Sequence, residues 1–189
     1  MNIEDATAEV YAKIGRNVVL FQKLEILLKI LVSRSEIGGG VDDLKRLHNA
    51  RAAEIFRKTL GQLAGDYVEG CLGPEADEAP ATPKNLNGMH ISMKFSMEHN
   101  PEYYEAKKAE LAKLVADRND LVHHLLLQEL DITSTESCQA LGTKLDAQCK
   151  ILRAEIKSMQ AVEKGMFEQQ DRLAAFLLTE EGRRALFPD

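Results

Sequence analysis

From about Thr135 to Leu178 the chain carries one apolar stripe. Leu141, Leu145, Leu152, Ile156, Met159, Met166, Leu173 and Leu177 recur at steps of three, four or seven. Only an α-helix brings such positions onto one face. At 1.5 Å per residue that helix reaches roughly 60 Å, longer than a small domain is wide. A chain of 189 residues that spends so many on one rod must build the rest of its core against it. The expected fold class is therefore all-α: an antiparallel bundle of four or five helices with a long C-terminal helix and one short extended segment. Thr133 and Glu136 fit a capping box at the start of the rod. Glu180–Leu186 forms a last short turn of helix.

The remaining segments agree. Between about Ile3 and Ser33, Val10, Ile14, Phe21, Leu28 and Val32 share a stripe with Glu25, and Asn17 lies close to it. The stretch 18–32 is apolar around much of its circumference, which predicts burial on more than one side. Gly38-Gly39-Gly40 reads as a flexible turn. A second helix is expected over about Val41–Ala64, broken near His48. Gly65–Lys84 reads as a loop, with Gly70, Gly73, Pro74, Pro80 and Pro83 as breakers and Glu75–Glu78 as a solvated acidic run. Met89, Ile91, Met93, Phe95 and Met97 then alternate with polar residues, the period of an extended strand. A single strand cannot satisfy its own backbone, so it is expected to pair with a short neighbour, such as one around Tyr67–Leu72, or to lie as an extended strap. Asn100-Pro101-Glu102 opens the next helix, with Asn as N-cap and Pro at the first position. That helix is expected to reach about Glu129. The chain is read as one domain, 1–189, with a loop-rich insertion at about 65–100.

Composition narrows the function. Apolar residues make up 44% and charged residues 29%, enough to fold and to remain in solution. No apolar run approaches the length of a membrane span. The acidic N-terminus has no signal-peptide core, and Cys71, Cys138 and Cys149 lack metal-ligand spacing. A cytoplasmic protein with reduced thiols is expected. The formal charge of −6 argues against a general nucleic-acid binder and leaves room for a local basic cleft. Phosphate-cradling glycine loops, the G-x-G-x-x-G fingerprint, nucleophile elbows and His-x-x-x-His pairs are absent from the sequence. No cofactor and no metal site are expected.

One constellation stands out, Arg118-Asn119-Asp120-Leu121-Val122-His123-His124. Helical numbering places Arg118 amid Leu111, Leu114, Val115, Val122 and Leu125. A guanidinium is costly to bury unless paired. Arg118 therefore pairs with a buried acid, for which Glu25 in the first helix is the candidate, or it lines an anion-binding cleft. His123, five residues on, projects roughly 140° away on an α-helix but reaches the rim of such a cleft. A fixed positive charge beside a proton-transferring imidazole suits phosphate chemistry. Lys23, Lys29, Arg34, Lys107, Lys108 and Lys113 read as mostly solvated.

Arg118-Asn119-x-x-x-His123 resembles the R-x4-6-H motif of the HEPN superfamily, at its tightest spacing; His124 matches with one more residue between. Phe21–Leu28 is similar to the first helix of many small prokaryotic members. The resemblance spans roughly Val10–Leu127. It implies an antiparallel helical bundle that homodimerises, with two motifs facing each other across a cleft. It implies a metal-independent endoribonuclease of the toxin–antitoxin or defence type, with RNA as substrate and an antitoxin or other protein as partner. In that reading Arg118 holds the scissile phosphate, His123 shuttles a proton, Asn119 orients either of them, and Glu25 and His124 support. The second class is a non-catalytic HEPN-like interaction or nucleotide-binding module, in which Arg118 and Glu25 are structural. The acidic net charge favours that second class.

Overall fold

The computed structural model describes residues 2–40, 42–73, 90–97, 99–124 and 132–186. Among them are six α-helices and one two-stranded sheet, so the fold is all-α. None of the described helices is long and apolar enough to cross a membrane.

Two long helices form the spine: α1 (Ile3–Arg34) and α5 (Thr135–Leu177). At 1.5 Å per residue α5 is about 65 Å long. Leu145, Leu152, Ile156, Met159 and Met166 of its stripe are buried, while Leu141 is only partly covered. They meet Val10, Phe21, Leu24, Leu28, Leu31 and Val32 of α1 in one core. Contacts between the two helices advance together along both chains: Thr7 with Cys138, Lys13 with Asp146, Asn17 with Gln148, Arg34 over Phe167. The spine pair is thus parallel within the bundle. Among the described residues, the intervening chain carries three shorter α-helices before α5 begins.

Asn17 of α1, 0% exposed, is fully bonded. Its Nδ2 donates to the Leu145 carbonyl and to Gln148 Oε1, both at 2.8 Å. A buried amide satisfied in this way registers α1 against α5 rather than weakening the core.

The expected second helix is two. α2 covers Leu44–Ile55 and α3 covers Leu60–Tyr67. The break falls at 56–59 and not near His48, because Thr59 begins a new helix with a full capping box to Gln62. α3 runs on to Tyr67 and passes into a π-helical turn, Val68–Leu72, so 65–72 is helical and not loop. Leu63, Tyr67 and Leu72 are buried there, and that burial overrides Gly65 and Gly70. The expected acidic loop and its prolines, 74–84, lie outside the described residues.

The strand expectation holds over His90–Lys94 (β2), but its partner differs. β2 pairs antiparallel with β1, Glu36–Gly40, in the register Glu36 to Lys94 and Gly40 to His90. The triple glycine is therefore strand, not turn. Gly39 sits at φ +154°, a backbone conformation that L side chains rarely adopt, with the Leu47 side chain packed over it.

α4 spans Pro101–Asn119 and is capped as expected, the Asn100 Oδ1 accepting from the Tyr103 N–H at 2.7 Å. It passes into a second π-helical turn, Asp120–His124. Its expected continuation to Glu129 lies outside the described residues. α5 is capped by Ser134, which accepts from the Ser137 N–H, so Thr133 is not the cap. α6, Glu180–Leu186, follows α5.

Candidate functional site

α4 has a sparse apolar stripe. Only Lys107, Leu111 and Leu114 are buried on it, with Leu121 following in the π turn. The spacing 107, 111, 114, 118, 121 is one helical face. Two cations, Lys107 and Arg118, thus bracket two leucines.

Their environments differ. Lys107 is neutralised: its Nζ lies 2.8 Å from Glu155 Oε2 on α5 and 2.7 Å from Glu110 Oε2. Burial acts against its charge, yet the bonds to Glu110 and Glu155 outweigh it and raise the ammonium's pKa. The expectation that Lys107 is solvated is therefore corrected. Among the described residues, Lys107–Glu155 is the ion pair with both side chains buried.

Arg118 is half-buried and has no carboxylate partner among the described residues. The expected Arg118–Glu25 pair does not form. Glu25 is neutralised on its own helix by Lys29, Nζ to Oε1 at 2.7 Å, in the favourable order of a glutamate one turn before a lysine. α1 nevertheless packs against the Asp120–His124 turn.

Arg118 instead gathers its own motif. Its Nη1 donates to Asn119 Oδ1 and to His123 Nε2, both at 3.1 Å. A regular α-helix would set residue i+5 well around the axis from residue i. The π turn closes i→i+5 hydrogen bonds and adds a residue per turn, which swings His123 back towards Arg118. Hydrophobic periodicity gave no sign of this local widening. The side chain of His124 lies outside the described residues.

The contact defines the imidazole. A guanidinium has no acceptor, so His123 Nε2 must accept, and the ring proton sits on Nδ1. Both hydrogens of Nη1 are then used. Nε and Nη2 have no partner among the described residues, leaving a two-donor edge that matches a carboxylate or phosphate oxygen pair. Asp117 and Asp120 flank this edge in sequence. Burial holds the Asp117 carboxyl above its usual range, Lys113 pulls it down, and the charge of Asp120 adds to the rise.

Clefts are found elsewhere on the molecule. One of about 470 Å³ opens between α2, the first π turn and β2, lined by Arg51, Lys58, Asp66 and Glu69 among others. Arg51 Nη1 meets Glu36 at 2.6 Å and Lys58 meets Asp66 at 2.8 Å, while Arg51 Nε is buried without a partner among the described residues. Among the described residues no group of three or more His, Cys, Asp or Glu is placed to hold a metal ion. Cys71, Cys138 and Cys149 are buried free thiols. Burial is the main cause that pushes the Cys71 thiol up to about 11.

Comparison of the chain with protein-family models, with characterised proteins and with solved structures finds no match.

Proposed function

We propose that Arg118, Asn119 and His123 form a phosphodiester site that cleaves RNA without metal, in the manner of HEPN ribonucleases, in a homodimer. The observation that carries this reading is the pair of 3.1 Å hydrogen bonds from Arg118 Nη1 to Asn119 and His123. They leave the guanidinium without a counter-charge among the described residues and keep an imidazole beside it. The free Nε/Nη2 edge of Arg118 holds the phosphate and offsets charge developing in the transition state. His123 moves a proton at the ribose 2′-hydroxyl or the leaving oxygen. A 2′-hydroxyl nucleophile restricts the reaction to RNA. Dimerisation doubles a sparse set of groups into one cleft.

The test uses purified protein with single-stranded RNAs in excess chelator. Wild type is expected to cleave, and His123→Ala to lose about 10²–10⁴-fold of the rate, the usual share of general acid–base catalysis. Arg118→Ala is expected to lose about 10²–10³-fold. DNA is expected to be spared, and light scattering to give a dimer. Wild type and both variants cleaving equally, or wild type inert on varied RNAs, rejects the enzyme and leaves the non-catalytic interaction module.

A further inference from the structure

The lone pair with which His123 would take a proton is already occupied. Nε2 accepts from Arg118, Nδ1 carries the ring proton, and the imidazole is exposed at the end of α4. In this state the ring cannot act as a base at Nε2. We propose that this contact is an internal cap, and that a phosphate-class anion releases it by drawing the guanidinium away. The inference rests on the Arg118–Asn119–His123 cluster being a phosphate site and adds its regulation: the base is exposed only where the anion is bound.

The relative strength of the competing acceptors supports the release. Both present acceptors of Arg118 Nη1, the Asn119 amide oxygen and the His123 imidazole, are neutral. The guanidinium is ionised in both bonds, so what an anionic oxygen adds is a full charge–charge attraction and a bidentate fork, which neither neutral acceptor can offer. An anion first meets the unpartnered Nε/Nη2 edge. It then competes for Nη1 as the guanidinium turns to present its full fork. No carboxylate among the described residues holds Arg118 in place against that turn. The cap also holds His123 in the Nδ1–H form, so release frees Nε2 and the tautomer together.

The experiment is ¹⁵N NMR of the histidine ring nitrogens in the full-length protein at mildly alkaline pH. His123 is assigned by the signal missing from His123→Gln. Inorganic phosphate is titrated in, with chloride at matched ionic strength as control. The free protein is expected to show an unprotonated Nε2 and a protonated Nδ1. Phosphate is expected to move the Nε2 signal saturably, and chloride to leave it. Arg118→Ala, checked for fold by circular dichroism, is expected to show an Nε2–H ring in the free state and no response to phosphate. A protonated Nε2 in free wild type overturns the cap. So does a phosphate titration that leaves His123 unmoved, and these wild-type arms need no variant to fold. The RNA assay separates the two readings. Cleavage that depends on Arg118 and His123, with an uncapped free ring, removes the cap and keeps the nuclease; phosphate-driven release without cleavage does the reverse.

Discussion

Lys107 Nζ lies 2.8 Å from Glu155 Oε2, with the two side chains only 8% and 2% exposed. This pair joins the motif helix α4 to the spine helix α5. The other carboxylate oxygen, Glu155 Oε1, is buried without a partner among the described residues. Such a pair specifies arrangement more than it adds stability.

The two ends of that pair are unequal, and single variants should show it. Lys107→Met strands a buried carboxylate and is expected to cost about 3–5 kcal/mol. Glu155→Leu leaves Lys107 with Glu110 and costs less. The double variant Lys107→Met/Glu155→Leu regains most of the loss, because both charges are gone. Urea unfolding of the four proteins measures this. pH adds a signature. Burial raises the Glu155 carboxyl above its ordinary 4.5, with Lys107 opposing. A carboxyl raised on folding is a penalty when ionised. In Lys107→Met the penalty sets in as pH rises above 4.5 and is complete beyond the raised folded value. That variant should therefore approach wild-type stability as pH falls.

Asp146 acts in the opposite sense. Hydrogen bonds from Lys13, at 2.8 Å, and Arg16, at 2.9 Å, hold its carboxyl below the ordinary 3.8. Its contribution is present in full above 3.8 and is lost as pH falls through the lowered folded value. Asp146→Asn is expected to lower the thermal midpoint at neutral pH and to flatten its acid limb. An acid limb identical to wild type refutes the assignment.

Asn17→Ala should destabilise far more than a surface substitution. It removes the donor that serves Leu145 O and Gln148 Oε1 in a fully buried position. The expected cost is about 1–3 kcal/mol by chemical denaturation. Arg16 Nη2 also reaches the Leu145 carbonyl, at 3.2 Å, which keeps the value from the top of that range.

Gly39→Ala should cost about 1–3 kcal/mol, the scale of a non-glycine residue held in strained backbone. Its φ of +154° disfavours any L side chain, and a Cβ would lie 2.6 Å from Leu47 Cδ1. Gly40→Ala is the control, since a Cβ there meets open space. Equal loss at both positions contradicts the strain argument.

The helices were legible from sequence because a long apolar stripe admits one solution, and because caps such as Asn100 act within three residues. The prominence of Arg118 was legible for the same reason: a charge on an apolar face breaks the pattern. Other features depend on neighbours far along the chain. Whether Gly38–Gly40 turns or pairs is decided by β2, fifty or more residues away in sequence. Which cation in the α4 stripe is neutralised is decided by α5, which brings Glu155 to Lys107 and no carboxylate to Arg118. Glu25 and Arg118 looked like partners because each is a charge on an apolar face; Lys29, one turn from Glu25, took the carboxylate first. The approach of His123 to Arg118 rests on a π turn, a one-residue change in winding that hydrophobic periodicity does not record. Local patterning therefore determined the long helices and singled out the arginine. Tertiary packing decided the pairing of charges, since Coulomb and hydrogen-bond partners are set by distance in space and not by separation along the chain.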